Sequence, residues 1–170
     1  FGGDYSIANV NHSDPYYFNV EDPNLQIVMA KEQNAYPGTE LKRTVLMWND
    51  PYFIKPVVID LFSANSEEEH YYELPFHFAE HFMESSFDYT FNTKLEAIGE
   101  EHGYQHLFEE AKGVLEEENY QFNWYNEGKF FTITAIGDKG DEMILARTGA
   151  TDPEFNLRRD ALLIHAKKGG

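Results

Sequence analysis

Cysteine is absent from these 170 residues, so neither a disulfide framework nor a thiolate metal site is available and the fold must stand on packing alone. No apolar run approaches the roughly 18 residues of a membrane span. The amino terminus, Phe1-Gly2-Gly3-Asp4, has neither an initiator Met nor a signal-peptide pattern, and the chain reads as a piece whose targeting signal, if any, lies upstream. Cations are scarce: 13 Lys and Arg stand against 30 Asp and Glu, a net charge of −17. The basic groupings do not grow beyond Lys42-Arg43, Arg158-Arg159 and Lys167-Lys168. Such a surface repels phosphate backbones and argues against nucleic acid. Internal repeats and low-complexity linkers are missing as well.

What is present is apolar and aromatic. A hydrophobic fraction of 42% with 16% aromatics supports one domain with a real core, and the length is short for two ordinary ones. Leu25 to Ala30 and Leu41 to Trp48 are apolar or alternating runs that suit a pleated surface. Between them Asn34-Ala35-Tyr36-Pro37-Gly38 supplies a reversal, because Pro sets φ and Gly accepts a positive φ. Val57 to Phe62 reads as a central or well-covered strand, followed by a solvated loop ending in Glu67-Glu68-Glu69. That acidic triplet lacks the spaced oxygen ligands and Gly turn of a calcium loop.

Gln121 to Tyr125 and Phe130 to Ile136 flank Asn126-Glu127-Gly128-Lys129 as a hairpin. A turn at Gly137-Asp138-Lys139-Gly140 is expected to extend it into a meander through Glu142 to Arg147, with Leu162-Leu163-Ile164 as a last strand. Helix is expected only over Tyr104 to Leu115, interrupted by Gly113, and over Lys94 to Ile98. Strands at short intervals without βα alternation predict an all-β fold, an antiparallel two-layer β-sandwich with one short helix.

His70, His77 and His81 lie close in sequence, and on a helix His77 and His81 would share a face at the i, i+4 spacing that zinc enzymes use. Pro75 and the alternation Phe76-His77-Phe78 favour a strand instead, which separates them, so no metal ligand is assigned. Gly103 is expected to allow tight entry to a short turn, with Tyr104 and Leu107 anchoring it and Gln105 and His106 tying its backbone. Asp152-Pro153 and Asn156 carry turn chemistry, with Phe155 and Leu157 facing inward.

Several stretches act together. Tyr36-Pro37-Gly38-Thr39 with Arg43-Thr44, Val58 to Phe62, His70-Tyr71-Tyr72-Glu73-Leu74-Pro75-Phe76, Gly103-Tyr104-Gln105-His106-Leu107 and Arg147 to Arg158 resemble, in order and spacing, the carboxy-terminal β-rich domain of the heparinase II/III-like polysaccharide lyases, most closely the alginate-lyase branch. The resemblance implies a single β-sandwich domain over residues 1–170, the carboxy-terminal part of a bacterial, periplasmic or secreted lyase. Its implied partner is an upstream α/α-toroid of the same chain, and its implied substrate an acidic uronate polysaccharide, alginate or heparin/heparan type, met through that parent.

Cleavage by β-elimination needs a donor or cation on the C6 carboxylate, a base for the C5 proton and an acid for the leaving oxygen. The resemblance places these groups in the toroid and in sheet strands upstream of Phe1, together with the zinc ligands. No catalytic residue, metal ligand or cofactor is therefore assigned within this chain, which is expected to be inactive alone. Tyr36, His70, Arg147 and Arg158 remain as substrate-binding candidates, since phenol, imidazole and the Arg fork suit carboxylates and hydroxyls. A net charge of −17 would not by itself hold a polyanion. A second expectation is a non-catalytic carbohydrate-binding module, if Trp48, Trp124 and Tyr125 form one exposed strip. A third is a structural buttress, with dimers through an exposed strand edge.

Overall fold

A computed structural model describes residues 11–79, 81–150 and 156–169, with the side chains of 156–159 outside the description. The chain divides into two compact units, one reaching to His70 and the other running from Tyr71 onward. Every described ladder is antiparallel.

The first unit is a four-stranded sheet in sequence order, β1 (Asp14–Asn19), β2 (Leu25–Glu32), β3 (Thr39–Trp48) and β4 (Val57–Ser66). The Tyr36 to Gly38 reversal joins β2 and β3 as expected, with Gly38 at φ 74°. Register places Ile27, Leu46 and Ile59 on one rung, Met29, Thr44 and Leu61 on the next, and Leu25, Trp48 and Val57 at the end. Residues on alternate rungs share a face, so across β2, β3 and β4 this face is apolar apart from Thr44 until the rung Lys31, Lys42, Ser63. The opposite face mixes Val28, Val45 and Phe62 with an ion pair, Arg43 Nη2 to Asp60 Oδ2 at 2.6 Å. Among the described residues of this unit, the buried ones are the polar Glu32 and Thr39. The apolar run Val57 to Phe62, expected as a covered strand, lies at the end of its sheet with Val58, Leu61 and Phe62 exposed.

The second unit is a sandwich. One layer has the order β10 (Lys129–Ile136), β9 (Asn119–Asn126), β6 (His81–Ser85). The other has the order β5 (His70–Phe78), β12 (Asn156–Gly169), β11 (Glu142–Ala150), β8 (Leu107–Val114), β7 (Tyr89–Phe91). Alternation along β9 sends Tyr120 and Phe122 inward, where they meet Phe78, Met143, Leu145 and Leu163 from the facing layer. Phe122 stacks on Phe82 at 5.1 Å and meets Phe78 edge-on at 4.9 Å. Each such fully buried side chain contributes about 1.5–3 kcal/mol relative to exposure. The outer face of the larger layer carries a smaller cluster, Ile144, Ala146, Leu162 and Ile164, against which Ile98 and Leu107 pack.

The β9–β10 hairpin is as expected. Glu127 and Gly128 both have positive φ, 47° and 81°, which matches the right-handed twist of the flanking strands. The expected meander is not formed: β11 pairs with β8 and β12, so the turn after Ile136 carries the chain from one layer to the other. The helix expected over Tyr104 to Leu115 is a single 3-10 turn, Tyr104–His106, and strand β8 begins at Leu107. Pairing with β7 and β11 sets the strand, and Gly113 permits it. A Cβ there would sit 2.2 Å from the Asp88 carbonyl oxygen, so the glycine allows β7 to approach β8 rather than interrupting a helix. Lys94 to Ile98 contributes one isolated bridge, Ala97 to Phe108, and no helix.

Candidate functional site

One end of the four-stranded sheet gathers two of the candidate residues. The Thr39 N–H donates to the Tyr36 carbonyl at 3.0 Å, closing the Pro-Gly reversal. Thr39 stands opposite Ser66 in the ladder, and the Ser66 hydroxyl lies 3.0 Å from His70 Nε2. The Tyr36 turn and His70 are therefore tied to one rung. Beside that rung is an open cleft of about 420 Å³ lined by Gln33, Gly38, Thr39, Glu40, Asn65 and Ser66, among others.

Glu32 shapes this end. This residue is buried, and its Oε1 accepts the backbone N–H groups of Asn34 and Ala35 at 2.6 and 3.0 Å, organising the loop that leads to Tyr36. Glu40 is held below the usual carboxylate range, first by its hydrogen bond to the Lys42 ammonium, and Gln33 donates to its Oε2. Amides, hydroxyls and carboxylates dominate the cleft. That set suits sugar hydroxyls, while Glu40 and Glu67 oppose a uronate carboxylate.

The second unit has its own cleft, about 630 Å³, with Tyr71, Glu73, Glu96, Tyr104, Glu109 and Lys112 in its lining. Tyr71 donates to Glu142 Oε2 at 2.8 Å, and Lys112 Nζ lies 3.0 Å from the same oxygen. Lys112 first and then Tyr71 hold the Glu142 carboxyl below its ordinary range. The Tyr71 phenol is pushed up by partial desolvation and by the Glu142 carboxylate, which keeps it protonated and unsuited to act as a base. Tyr104 donates to Glu73. The Gly103 entry works as expected: Gly103 has φ 95°, and its N–H donates to Gln105 Oε1 at 2.8 Å. The carboxylates here repel a polyanion.

Arg147 does not open onto a free carboxylate site. Its Nε and Nη2 donate to Glu110 Oε1 and Oε2 at 2.7 and 3.1 Å, a two-pronged pair across neighbouring strands. Arg158 lies on β12, and its side chain is outside the described residues, as are 151–155 with Asp152, Pro153 and Phe155. The four candidates are thus split: Tyr36 and His70 belong to the first unit, Arg147 and Arg158 to the second.

Sequence reasoning missed a buried chain of polar groups. Asp141 Oδ2 lies 2.7 Å from His165 Nε2, and His165 Nδ1 lies 3.2 Å from the Tyr120 hydroxyl. Burial pushes the Tyr120 phenol up, with the Asp141 charge adding to it. This chain pins the β10–β11 connection to β12 and faces neither cleft. No local spacing announces it, since its members are joined only by register.

His77 and His81 are exposed and sit on strands of different layers, β5 and β6. Among the described residues no group of three or more His, Asp or Glu is placed to hold a metal ion. Nor is any described helix long and apolar enough to cross a membrane. Trp124 and Tyr125 are consecutive and take opposite faces of β9. Trp124 stacks on Phe131 at 5.2 Å and packs against the core, whereas Trp48 belongs to the other unit.

No protein-family model matches this sequence. Nearly the whole chain is nonetheless similar to a segment of two curated proteins. It is 32% identical over 170 residues to an alginate lyase of Stenotrophomonas maltophilia, covering 99% of this chain. It is 29% identical over 169 residues to an exo-oligoalginate lyase of Saccharophagus degradans, covering 96% of this chain. The chain spans 23% of the length of each of these relatives, and is related to that one segment of them.

Proposed function

We propose that this chain is the carboxy-terminal β-sandwich domain of a bacterial, secreted or periplasmic polysaccharide lyase of the heparinase II/III-like group, which cleaves a uronate polymer, alginate before heparin or heparan type, by β-elimination. Its role is to buttress an upstream α/α-toroid and line its cleft. The observation that carries this reading is the similarity to alginate lyases along 99% of the chain, at 32% identity. The chemistry within the described residues is consistent with a supporting role. Both tyrosines with displaced ionisation, Tyr71 and Tyr120, move upward, away from what a base needs. Arg147 is engaged by Glu110. Base, acid and any zinc site belong, in this reading, to residues upstream of Phe1. Tyr36 and His70, tied to the rung beside the first-unit cleft without lining it, are the positions of this chain we assign to contact with the sugar, and Arg158 is assigned a separate contact in the second unit, where Arg147 stays with Glu110.

The test is the absorbance of the unsaturated uronate product, followed for the 170-residue chain and for the longer protein carrying it, on alginate and on heparan-type polymers. The longer protein is expected to give a rise on alginate and the 170-residue chain none. A rise from the chain alone, abolished by Tyr36→Phe or His70→Ala, would place a complete active site within it and overturn the supporting role.

A further inference from the structure

The four-stranded sheet has an apolar face that ordinary solvation does not explain. Solvated faces of antiparallel sheets alternate to polar residues, and only sheets covered on both sides stay apolar on both. Here the rungs of Leu46 with Ile59 and of Thr44 with Leu61 run into Trp48 at the end of the sheet. The apolar surface then continues into the β3–β4 hairpin, where Tyr52 is 95% and Ile54 98% exposed. Trp48 meets Phe53 edge-on at 5.5 Å, so strand end and hairpin form one surface. It stops at the charged rung Lys31 and Lys42.

These three rungs across β2, β3 and β4, with Thr44 their polar member, cover roughly 300 Å² from strand spacing alone. With the exposed hairpin tip added, the surface reaches the size of the largest apolar patch on a typical monomer, which is often functional.

We propose that this face and hairpin tip are the docking surface for the rest of the same polypeptide, a segment outside these 170 residues that lays an apolar layer over Leu46, Ile59 and Leu61 and receives Tyr52 and Ile54. The inference rests on the reading of the chain as one domain of a longer lyase. Two observations select this occupant over a second copy. The relatives are long enough to supply it, since this chain spans 23% of their length. The sheet patch also falls short of the roughly 800 Å² per partner that stable associations bury, which handicaps a free copy. A tethered segment escapes that handicap through its millimolar effective concentration.

The absence of cysteine supplies the experiment. Leu61→Cys, at a position 59% exposed, and Thr134→Cys, on an exposed part of β10, are each introduced into the 170-residue chain and into the longer protein. Maleimide labelling at the introduced thiol is followed by peptide mass. The Leu61→Cys thiol is expected to label freely in the 170-residue chain and at least about tenfold more slowly in the longer protein, through local opening only. The Thr134→Cys thiol should label alike in both.

Equal labelling of Leu61→Cys in both would overturn the proposal, as would a gene encoding no more than these residues. Protection in the 170-residue chain that grows with concentration, with dimers in sedimentation, would assign the face to a second copy instead. Alginate cleavage is measured on the same longer protein. Cleavage without protection sinks the docking surface and leaves the lyase reading standing, whereas protection without cleavage does the reverse.

Discussion

The two units are built from the same kind of strand, yet among the described residues one has an apolar interior and the other does not. From Tyr71 onward, alternation along β9, β11 and β12 points apolar residues of two layers at each other, and Phe122, Met143 and Leu163 lose all contact with water. Up to His70 the alternation is just as apolar, but Leu46 and Met47 are half-buried while Leu61, Val58 and Phe62 are exposed. Apolar patterning is thus necessary for a core and insufficient for one. A second layer must be present to receive it, and stability should follow the layer count rather than hydrophobic content.

The two tryptophans allow this comparison to be broken cleanly, because one lies in each unit. Trp48→Phe leaves Trp124 to report on the sandwich, and Trp124→Phe leaves Trp48 to report on the four-stranded sheet. The largest effect is expected from Phe122→Ala in the Trp48→Phe background. Removing a ring packed on Phe78 and Phe82 should cost about 3–5 kcal/mol in denaturant unfolding followed by Trp124 fluorescence. A loss under about 1 kcal/mol, the size of a surface change, would mean that the interior is loosely packed and the contrast between units unreal.

How much of this was readable beforehand depends on whether a feature is local. The strands β2, β3, β9 and β10 and the turns at Gly38 and Gly128 follow from alternation and from glycine's tolerance of positive φ. Strand β8 was hidden because Glu109-Glu110-Ala111-Lys112 are good helix formers, a local preference that pairing with β7 and β11 overrides. Strand β1, opening with Asp14-Pro15, and the short β6 carry too little pattern to read. At the candidate site, Tyr36 and His70 come together only through the pairing of Thr39 with Ser66, and the Glu110 partner of Arg147 only through the β8–β11 register. Register is a long-range property, so residue type could nominate those side chains but not place them.

A smaller effect sharpens the electrostatic side of the comparison. Glu142 is held below its unfolded carboxylate range by Lys112 and Tyr71, so the stability it brings is fully present above the unfolded value and is lost as pH falls through the folded one. The pair is partly exposed, so the contribution is about 1 kcal/mol or less. Acid titration of the Trp124 signal should show the sandwich losing that increment, and Glu142→Gln should flatten the acid limb while lowering stability at neutral pH. An unchanged acid limb in the variant would mean that Lys112 and Tyr71 do not single out this carboxylate.

The smallest effect is expected where the sequence is most apolar. Leu61→Ser removes a large aliphatic side chain from the middle of a strand, a change that in a core would cost several kcal/mol. Leu61 is exposed and at the end of its sheet, so nothing closes on the space it leaves. In the 170-residue chain, Trp48 fluorescence should report a change within about 0.5 kcal/mol, the ordinary range for surface positions. A loss of 2 kcal/mol or more, roughly the size of a core truncation, would mean that Leu61 is already covered in this chain. The comparison would then collapse, since both units would own an interior. In the longer protein the same substitution should become costly, because a covering layer converts an exposed leucine into a buried one without altering a residue of this chain. A position neutral in one setting and destabilising in the other separates an apolar residue that stabilises its own sheet from one that waits for a neighbour.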